Sequence, residues 1–466
     1  MLRTEYVESV DLTATAPRQV VTYRINPDAT WSDGTPITTA DFEAQWRALS
    51  GTDPAFNVAF TQGYDKIVSV TEGRDDREAV VTFAEPYADW RGLFTPLYPS
   101  STNADPSVFN DGWRDMPLTT AGPFRLESID QTSKTITLVR DENWWGQQAK
   151  LERIIYQAID TDAQIDALAN GEIDFVNIGA NVDALRRAQA IPNIAVHMAA
   201  GPDFVHITIN GVSEVLADVE VRRALAMGID RGRIAEALIG PFGLPTTPLG
   251  NHILMVNQEG YQDNSGDIGR YDPSRARALL EEAGWRLDGA VRVKDGTELM
   301  LRYVMRAQAA TDNQIAELVR GMLSEVGVRV QIQAVPGGDF FDQYLRPGNF
   351  DLTAFAWFGG PFPISGARSI YASPIPGPDG RLNVQSNYAR VGSRQLDELF
   401  DQATAELDPG LALQTANAID EVIWEEVHSL PLYQRPDIVA SRSALANFGA
   451  FGFASHIYED IGFAQR

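Results

Sequence analysis

The stretch that most constrains this chain is Asn349–Pro363, NFDLTAFAWFGGPFP. From Leu352 to Phe358 it is apolar apart from Thr353, and Gly359-Gly360-Pro361 then breaks the run. A strand of that composition has no polar face to offer water, so both faces are covered, as in an α/β sheet. Ligands of such sheets collect just beyond the carboxyl ends of the strands. Trp357, Phe358 and Phe362 therefore become pocket-lining candidates. Buried aromatics are more often packing than contacts, so the rest of the chain has to decide.

Elsewhere, strand and helix patterns alternate. Arg18–Asn26 alternates like a strand, and Asp33-Gly34 suits a tight turn. Thr38 with Asp41 reads as a capping box ahead of a helix whose apolar face is Phe42, Trp46 and Leu49. Residues 64–71 and 78–84 read as a strand pair, Trp90–Phe94 as part of a helix, and 97–121 as a loop. Phe124–Ile129 and Thr135–Arg140 read as a hairpin. Ile154–Ile159, a helix over Thr161–Asn170 closed by Gly171, and Ile173–Ile178 form a β–α–β pattern. Phe204–Asn210 reads as a strand, followed by helices over Val219–Met227, Arg231–Ile239 and Pro273–Ala283. Leu299–Val304, Asp312–Val326 and Val328–Val335 make a strand–helix–strand unit before the opening stretch. Residues 359–385 read as a long Pro/Gly-rich loop, and such loops are often functional. Helices over Arg394–Ala405 and Leu411–Val427 and a short strand, Leu430–Gln434, close the series.

A chain of 466 residues is too long for one core, so two or three lobes are expected. The formal net charge of −25 disfavours nucleic acid and anionic membrane as partners, since both reward basic patches. The absence of cysteine removes disulfides, thiolate metal sites and thiol nucleophiles. No apolar run reaches the length of a membrane span, and MLRTEYVESV has no apolar signal core.

Catalytic signatures are missing: there is no Gly-x-Ser-x-Gly, no Walker loop and no His-Glu-x-x-His. His197, His206, His252, His428 and His456 are scattered without metal-ligand spacing. With 63 carboxylates in the chain, chance acidic pairs are common and carry no argument for a glycosidase. No catalytic residue, metal site or cofactor is expected.

Several segments together resemble the family 5 extracellular solute-binding proteins of ABC transporters, the dipeptide/oligopeptide/nickel-binding type. The resemblance rests on Trp31–Phe42 (WSDGTPITTADF), Ala121–Phe124 (AGPF) with Arg140–Gly146 (RDENWWG), and Gly171–Asp174 (GEID). It continues in Val221–Ala226 (VRRALA) with Ile229–Arg231, Tyr271–Pro273 with Leu279–Trp285 (LLEEAGW), Gly348–Leu352, and Leu430–Tyr433 (LPLY). Each piece is weak alone; their order along almost the whole chain makes the resemblance specific.

That resemblance implies an α/β, two-lobed, class II periplasmic-binding-protein-like fold with an extra subdomain. Residues 1–118 would be the extra subdomain of lobe 1, 119–203 plus 432–466 lobe 1 itself, and 204–431 lobe 2, with crossings near Phe204 and Tyr433 as the hinge. It also implies a chain shortened at its N-terminus, so that lobe 1 lacks its opening strands and leaves unpaired edges and apolar surface exposed. The implied function is the extracytoplasmic solute-binding component of an ABC importer. The chain would be a monomer that binds a peptide or peptide-like solute and delivers it to a membrane permease and ATPase. An oligosaccharide or other solute, or a secreted hydrolase, are the alternatives. The expected ligand contacts are Trp357, Phe358, Gly360, Phe362 and Asn387, with Phe204 and His206 at the lobe junction. Asn387 is chosen for its place on the polar return from the long loop, where a turn role is the competing reading. Trp31, Trp46, Trp144 and Trp145 are assigned to packing. One departure bears on specificity. Peptide binders of the family carry an Asp shortly after the Trp of the opening stretch to neutralise the peptide's amino terminus, and Gly360 and Pro361 stand there instead. An Arg that some members place three residues before that Trp is Ala354 here.

Overall fold

The molecule is built around one mixed six-stranded sheet in the order 329–335, 300–306, 352–358, 194–209, 429–442, 175–177. The computed structural model describes residues 3–58, 61, 63–376 and 382–464. Met1 and Leu2 of the N-terminal segment, residues 377–381 of the expected long loop, and residues 465–466 of the expected lobe 1 lie outside the described residues.

The opening stretch behaves as its composition requires. Leu352–Phe358 is a central strand, parallel to Met300–Arg306 and antiparallel to Ile194–Ile209. Leu352 and Ala354 face one core with Leu301, Tyr303 and Val330, while Phe355 faces another with Val304, Phe340 and Tyr388. Both faces are thus covered, which is why the run carries no alternation. Met300–Arg306, the helix Ala310–Glu325 and Arg329–Val335 form the expected strand–helix–strand unit, with the two strands parallel.

Two strands are far longer than the sequence pattern indicates. The expected strands at Phe204–Asn210 and Leu430–Gln434 are the ends of Ile194–Ile209 and Ser429–Arg442, which pair antiparallel along most of their length. Prolines hide this continuity. Pro202 and Pro436 interrupt each run, and a proline inside a strand normally argues against one. Here they sit at the break in register, between Gln434 opposite Phe204 and Pro436 opposite Ala200. At this break the backbones pass closely: a Cβ on Gly201 would lie 2.6 Å from the Arg435 carbonyl oxygen. The carbonyls freed by the break are still satisfied. Gln434 Nε2 donates to Gly201 O at 2.7 Å, and Gly359 N donates to Pro202 O at 2.6 Å.

The same two strands feed two separate cores. On one side of the break, Val205, Ile207, Ile209, Leu430 and Leu432 pack with the helices Val219–Gly228, Arg231–Ile239 and Ala310–Glu325. On the other, Ile438 and Ala440, with partly buried Ile194 and Val196, pack with the helices Thr161–Asn170 and Val182–Gln189. One sheet with two cores and a register break between them is the physical basis of a two-lobed molecule.

The N-terminal section holds a four-stranded antiparallel sheet, Val7–Ala14, Val20–Ile25, Glu78–Phe83 and Ile67–Glu72, with its own core around Phe42, Trp90 and Phe94. The first of these strands has no counterpart in the sequence reading. The helix Thr39–Leu49 begins at the expected capping box: Asp41 accepts from Thr38 N at 2.8 Å. Asp41 does more than cap, since it also accepts from Ser100 N at 2.6 Å and Trp31 Nε1 at 3.3 Å.

Four expectations need correction. The helix expected over Trp90–Phe94 is a single 3₁₀ turn, Trp90–Gly92, ended by Leu93 in extended backbone, with Phe94 beyond it in the left-handed region at φ +59°. Residues 97–121 contain two short helices, Ser100–Asn103 and Pro106–Asp111, the second capped by Asp105 with Pro106 at its first position. Part of the expected long loop is the helix Pro363–Tyr371, and here too a proline occupies the first turn. Arg153–Gln157 pairs with Thr135–Arg140 in a separate three-stranded sheet, so it does not share a sheet with Phe175–Asn177. That small sheet leaves Ile129, Ile136 and Tyr156 exposed. No helix among the described residues is long and apolar enough to cross a membrane.

Candidate functional site

At the register break the crossing strands open onto a cavity of about 460 Å³. Its floor is Pro202, Asp203, Arg435, Pro436 and Asp437. Phe175 and Asn177 of the edge strand and Phe358 at the end of the opening strand form its sides. The remaining wall is the C-terminal segment, with Phe448, Phe451 and His456.

Strand geometry decides which aromatics reach this cavity. Residues directly opposite in an antiparallel pair share a face, and the face alternates along each strand. Phe204 opposite Trp357 and His206 opposite Phe355 lie on one face. Asp203 opposite Phe358 lies on the other. Phe358 is 78 % exposed, the most exposed large apolar side chain among the described residues. Phe358 stands at the cavity rim together with Phe175, Phe448 and Phe451, so the exposed ring belongs to a group of aromatics and is not isolated.

The other expected contacts are placed differently. Trp357 is half-buried and stacked between His206 and Tyr388, with interplanar angles of 6° and 11°. Phe204 is buried against Leu249 and Met255. His206 is buried, its Nδ1 lies 3.2 Å from Thr208 Oγ1, and burial pushes its pKa down to about 3, so the ring is neutral. Gly360 donates no side chain; its carbonyl accepts from Gln258 Nε2 at 3.2 Å. Phe362 packs against Gly92 of the N-terminal section, where a Cβ would meet its ring at 2.8 Å. Asn387 is fully buried. Its amide donates to Ala372 O and Val391 O, and its side-chain carbonyl accepts from Arg390 N. It closes a turn, so the structure does not bring it to the cavity. Of the expected contacts, Phe358 alone lines it.

The sequence reading missed the cavity's charged groups. Arg435 and Asp203 form an ion pair at 2.8 Å. Burial raises the Asp203 pKa, while Arg435 pulls the other way. Asp437 accepts from the backbone N–H groups of Phe451 and Gly452 at 3.2 and 3.5 Å, which fixes the aromatic wall. On that wall Phe448 stacks on His456 and lies 4.5 Å from Phe175, ring centroid to centroid. A signal for these residues was present: Gly201-Pro202-Asp203 and Arg435-Pro436-Asp437 each place Pro-Asp inside a strand-like run. A proline there marks a bulge, and bulges re-aim side chains.

One arrangement resembles a hydrolytic triad. His252 Nδ1 lies 2.7 Å from Asp420 Oδ1, and Ser429 is adjacent. However, His252 Nε2 lies 3.0 Å from the backbone carbonyl of Ser429, and all three residues are buried. A base held on a carbonyl and closed to solvent cannot activate a nucleophile. Among the described residues no group of three or more His, Asp or Glu side chains is arranged to hold a metal ion.

A model described as bacterial extracellular solute-binding proteins, family 5 Middle, matches residues 8–376. The oligopeptide-binding protein OppA of Mycobacterium tuberculosis is 45 % identical over 469 residues, spanning 99 % of this chain and 77 % of that protein. Among solved structures, the periplasmic EDTA-binding protein EppA superposes with a TM-score of 0.90 at 26 % identity, covering 100 % of this chain and 88 % of EppA. The oligopeptide-binding protein AppA of Bacillus subtilis, in complex with a nonapeptide, superposes with a TM-score of 0.77 at 19 % identity, covering 99 % and 90 % of the two chains. The two-lobed α/β architecture, the cavity at its crossing strands and these matches agree, and the chain belongs to the family 5 bacterial extracellular solute-binding proteins.

Proposed function

We propose that this protein captures peptides in the cavity at the crossing strands and presents them to a membrane permease and ATPase. As a member of its family it is a solute-binding component of an ABC importer, and the family's description as extracellular proteins supports a location outside the cytoplasm. The peptide reading rests on OppA, similar along nearly the whole chain, and on one structural observation. That observation is Phe358, an aromatic side chain held in water at the rim of a roomy cavity with aromatic and charged walls. Such a mixture of apolar walls and a few polar anchors suits small ligands of varied side chain.

In this reading the lobes divide near Phe204 and Tyr433. Residues 119–203 with 432–466 form one, 204–431 the other, and 1–118 an extra subdomain of the first. Closure bends the crossing strands at their register break, because few ladder bonds hold there. Binding leaves the ligand chemically unchanged, and the protein acts as a monomer.

Arg435 and the likeness to the EDTA-binding EppA favour a second reading, an anionic chelate. Thermal-shift measurements separate the two. A pool of random pentapeptides raises the melting temperature by mass action, and EDTA or its metal complexes do not. A shift with the chelate and none with peptides overturns the peptide reading.

A further inference from the structure

Two adjacent residues of the N-terminal section, Ala88 and Asp89, reach two helix ends within residues 204–431. Ala88 N donates at 2.7 Å to Thr404 O, one of the last carbonyls of the helix Arg394–Ala405, which a helix leaves without an internal partner. Asp89 Oδ2 accepts at 3.2 Å from Ser365 N, in the first turn of the helix Pro363–Tyr371. That helix has no side-chain cap of its own, because Phe362 stands at its N-cap position. Asp89 makes the missing bond from 276 residues away, and its charge lies at the positive end of the helix dipole. The Ser365 side chain also bonds Asp89 and Tyr87. Burial raises the Asp89 pKa, as expected of a carboxylate taken out of water at such a contact. Beside it the Phe362 ring sits on Gly92, where a Cβ would lie 2.8 Å from the ring. Each side of the contact is held by its own core. Gln19 donates to Tyr87 O at 3.1 Å and accepts from Tyr87 N at 2.6 Å, and Trp90 is buried in the N-terminal core. Ile364 and Ala367 are buried in a different core, with Leu396 and Phe400. The N-terminal section is also fastened elsewhere. Tyr6 Oη donates to Ala121 O at 2.8 Å, Trp145 Nε1 donates to Glu5 O at 2.7 Å, and Arg3 pairs with Glu459.

We propose that Ala88-Asp89 is a latch between the two lobes, made when they close on a ligand and broken when they open, with Asp89 as a positioning residue that sets affinity without touching the ligand. The proposal rests on the two-lobe reading above and not on the identity of the ligand. Ala121, Trp145 and Glu459 tie the N-terminal section to one lobe, whereas the two helix ends belong to the other. Bending the crossing strands therefore parts Ala88, Asp89 and Gly92 from Thr404, Ser365 and Phe362. The contact joins two separate cores through a few polar bonds and one ring, which suits a joint that is made and broken. A contact present in one state only shifts the equilibrium toward that state. Whatever it adds to the closed state it adds to the affinity for a ligand that binds the closed state.

The test combines a distance measurement with calorimetry. The chain has no cysteine, so Glu72→Cys and Arg394→Cys take spin labels at exposed positions on the two sides. Their separation is read by double electron–electron resonance, with and without a pool of random pentapeptides. The same pool is titrated into the unaltered protein and the Asp89→Ala, Asp89→Asn and Gly92→Ala variants, with folding checked by circular dichroism. The pool is expected to raise the share of the short distance. Asp89→Ala, which removes the cap, and Gly92→Ala, which displaces the Phe362 ring, lower that share and bind the pool about three- to tenfold more weakly, the size of one cap bond. Asp89→Asn keeps an acceptor for Ser365 N and stays within about twofold of the unaltered protein. Gly92→Ala decides the matter if Asp89→Ala does not fold. Binding without any change in distance means that the N-terminal section travels with the two helices; it overturns the latch and leaves the peptide reading standing. So does a folded Asp89→Ala or Gly92→Ala with unchanged affinity. If the pool does not bind, the peptide reading falls and the distances without ligand decide the latch. A shift to longer distances in Asp89→Ala supports it, and identical distances overturn it.

Discussion

At the scale of single residues, burial separates the aromatic and polar side chains that pack from those free to bind. Asn387 spends its whole amide on three backbone groups inside the protein. Asn387→Ala leaves those groups without partners and is expected to cost about 2–3 kcal/mol of stability. Urea unfolding checks this, and peptide selectivity should not change. His206 gives a pH signature. Its folded pKa is depressed from 6.5 to about 3, so between these values the unfolded chain binds the extra proton. The associated stability is fully present above pH 6.5 and is lost as pH falls toward 3, amounting to roughly 2 kcal/mol by pH 5. A His206→Phe variant should therefore lose about that much less stability than the unaltered protein between pH 7 and pH 5, measured by urea unfolding. Equal losses would mean that His206 is hydrated in the native state. The sequence singled out Trp357 and Phe358 by composition, but composition cannot tell which of two neighbouring aromatics faces the cavity. That depends on register with Ile194–Ile209, set by a partner about 150 residues away.

At the scale of elements, local signals were readable wherever a turn or cap has its own chemistry. The capping box at Thr38 and Asp41, the left-handed Gly171 closing Thr161–Asn170, and Asp33-Gly34 with Gly34 at φ +85° are all where residue type places them. Long-range features were not readable. The crossing strands are broken by prolines that tertiary pairing tolerates at a bulge, and Val7–Ala14 gains its place by pairing with Val20–Ile25. Asp41 shows a local signal turned to long-range use, because it ties the start of the helix Thr39–Leu49 to Ser100 and Trp31. Asp41→Ala removes a cap and two tertiary hydrogen bonds from a buried site. The expected loss is about 3 kcal/mol, well above the ~1 kcal/mol of a surface cap. A loss near 1 kcal/mol in thermal unfolding would show that the tertiary bonds carry no weight.

At the scale of the whole molecule, one sheet serves two cores, and the break between them coincides with the cavity. The break needs a residue without a side chain at Gly201 and leaves Asp203 and Arg435 lining the cavity. In the proposed reading the hinge and the binding site share these residues, so that a ligand touching Phe358 on one side and Phe448 and Phe451 on the other would draw the lobes together. The family pattern in the sequence indicated such a molecule. The charged floor was hidden because its parts come from residues 203 and 435, which meet only in the fold.

The central claim is that ligand binds where Phe358 stands in water. The direct measurement is calorimetric titration of a random pentapeptide pool into the unaltered protein and a Phe358→Ala variant. Covering a Phe side chain contributes about 1.5–3 kcal/mol, so the variant should bind roughly 10- to 100-fold more weakly. Its melting temperature should be unchanged, because the side chain is 78 % exposed in the empty protein. Equal affinity of the two proteins would place the ligand elsewhere and contradict the account.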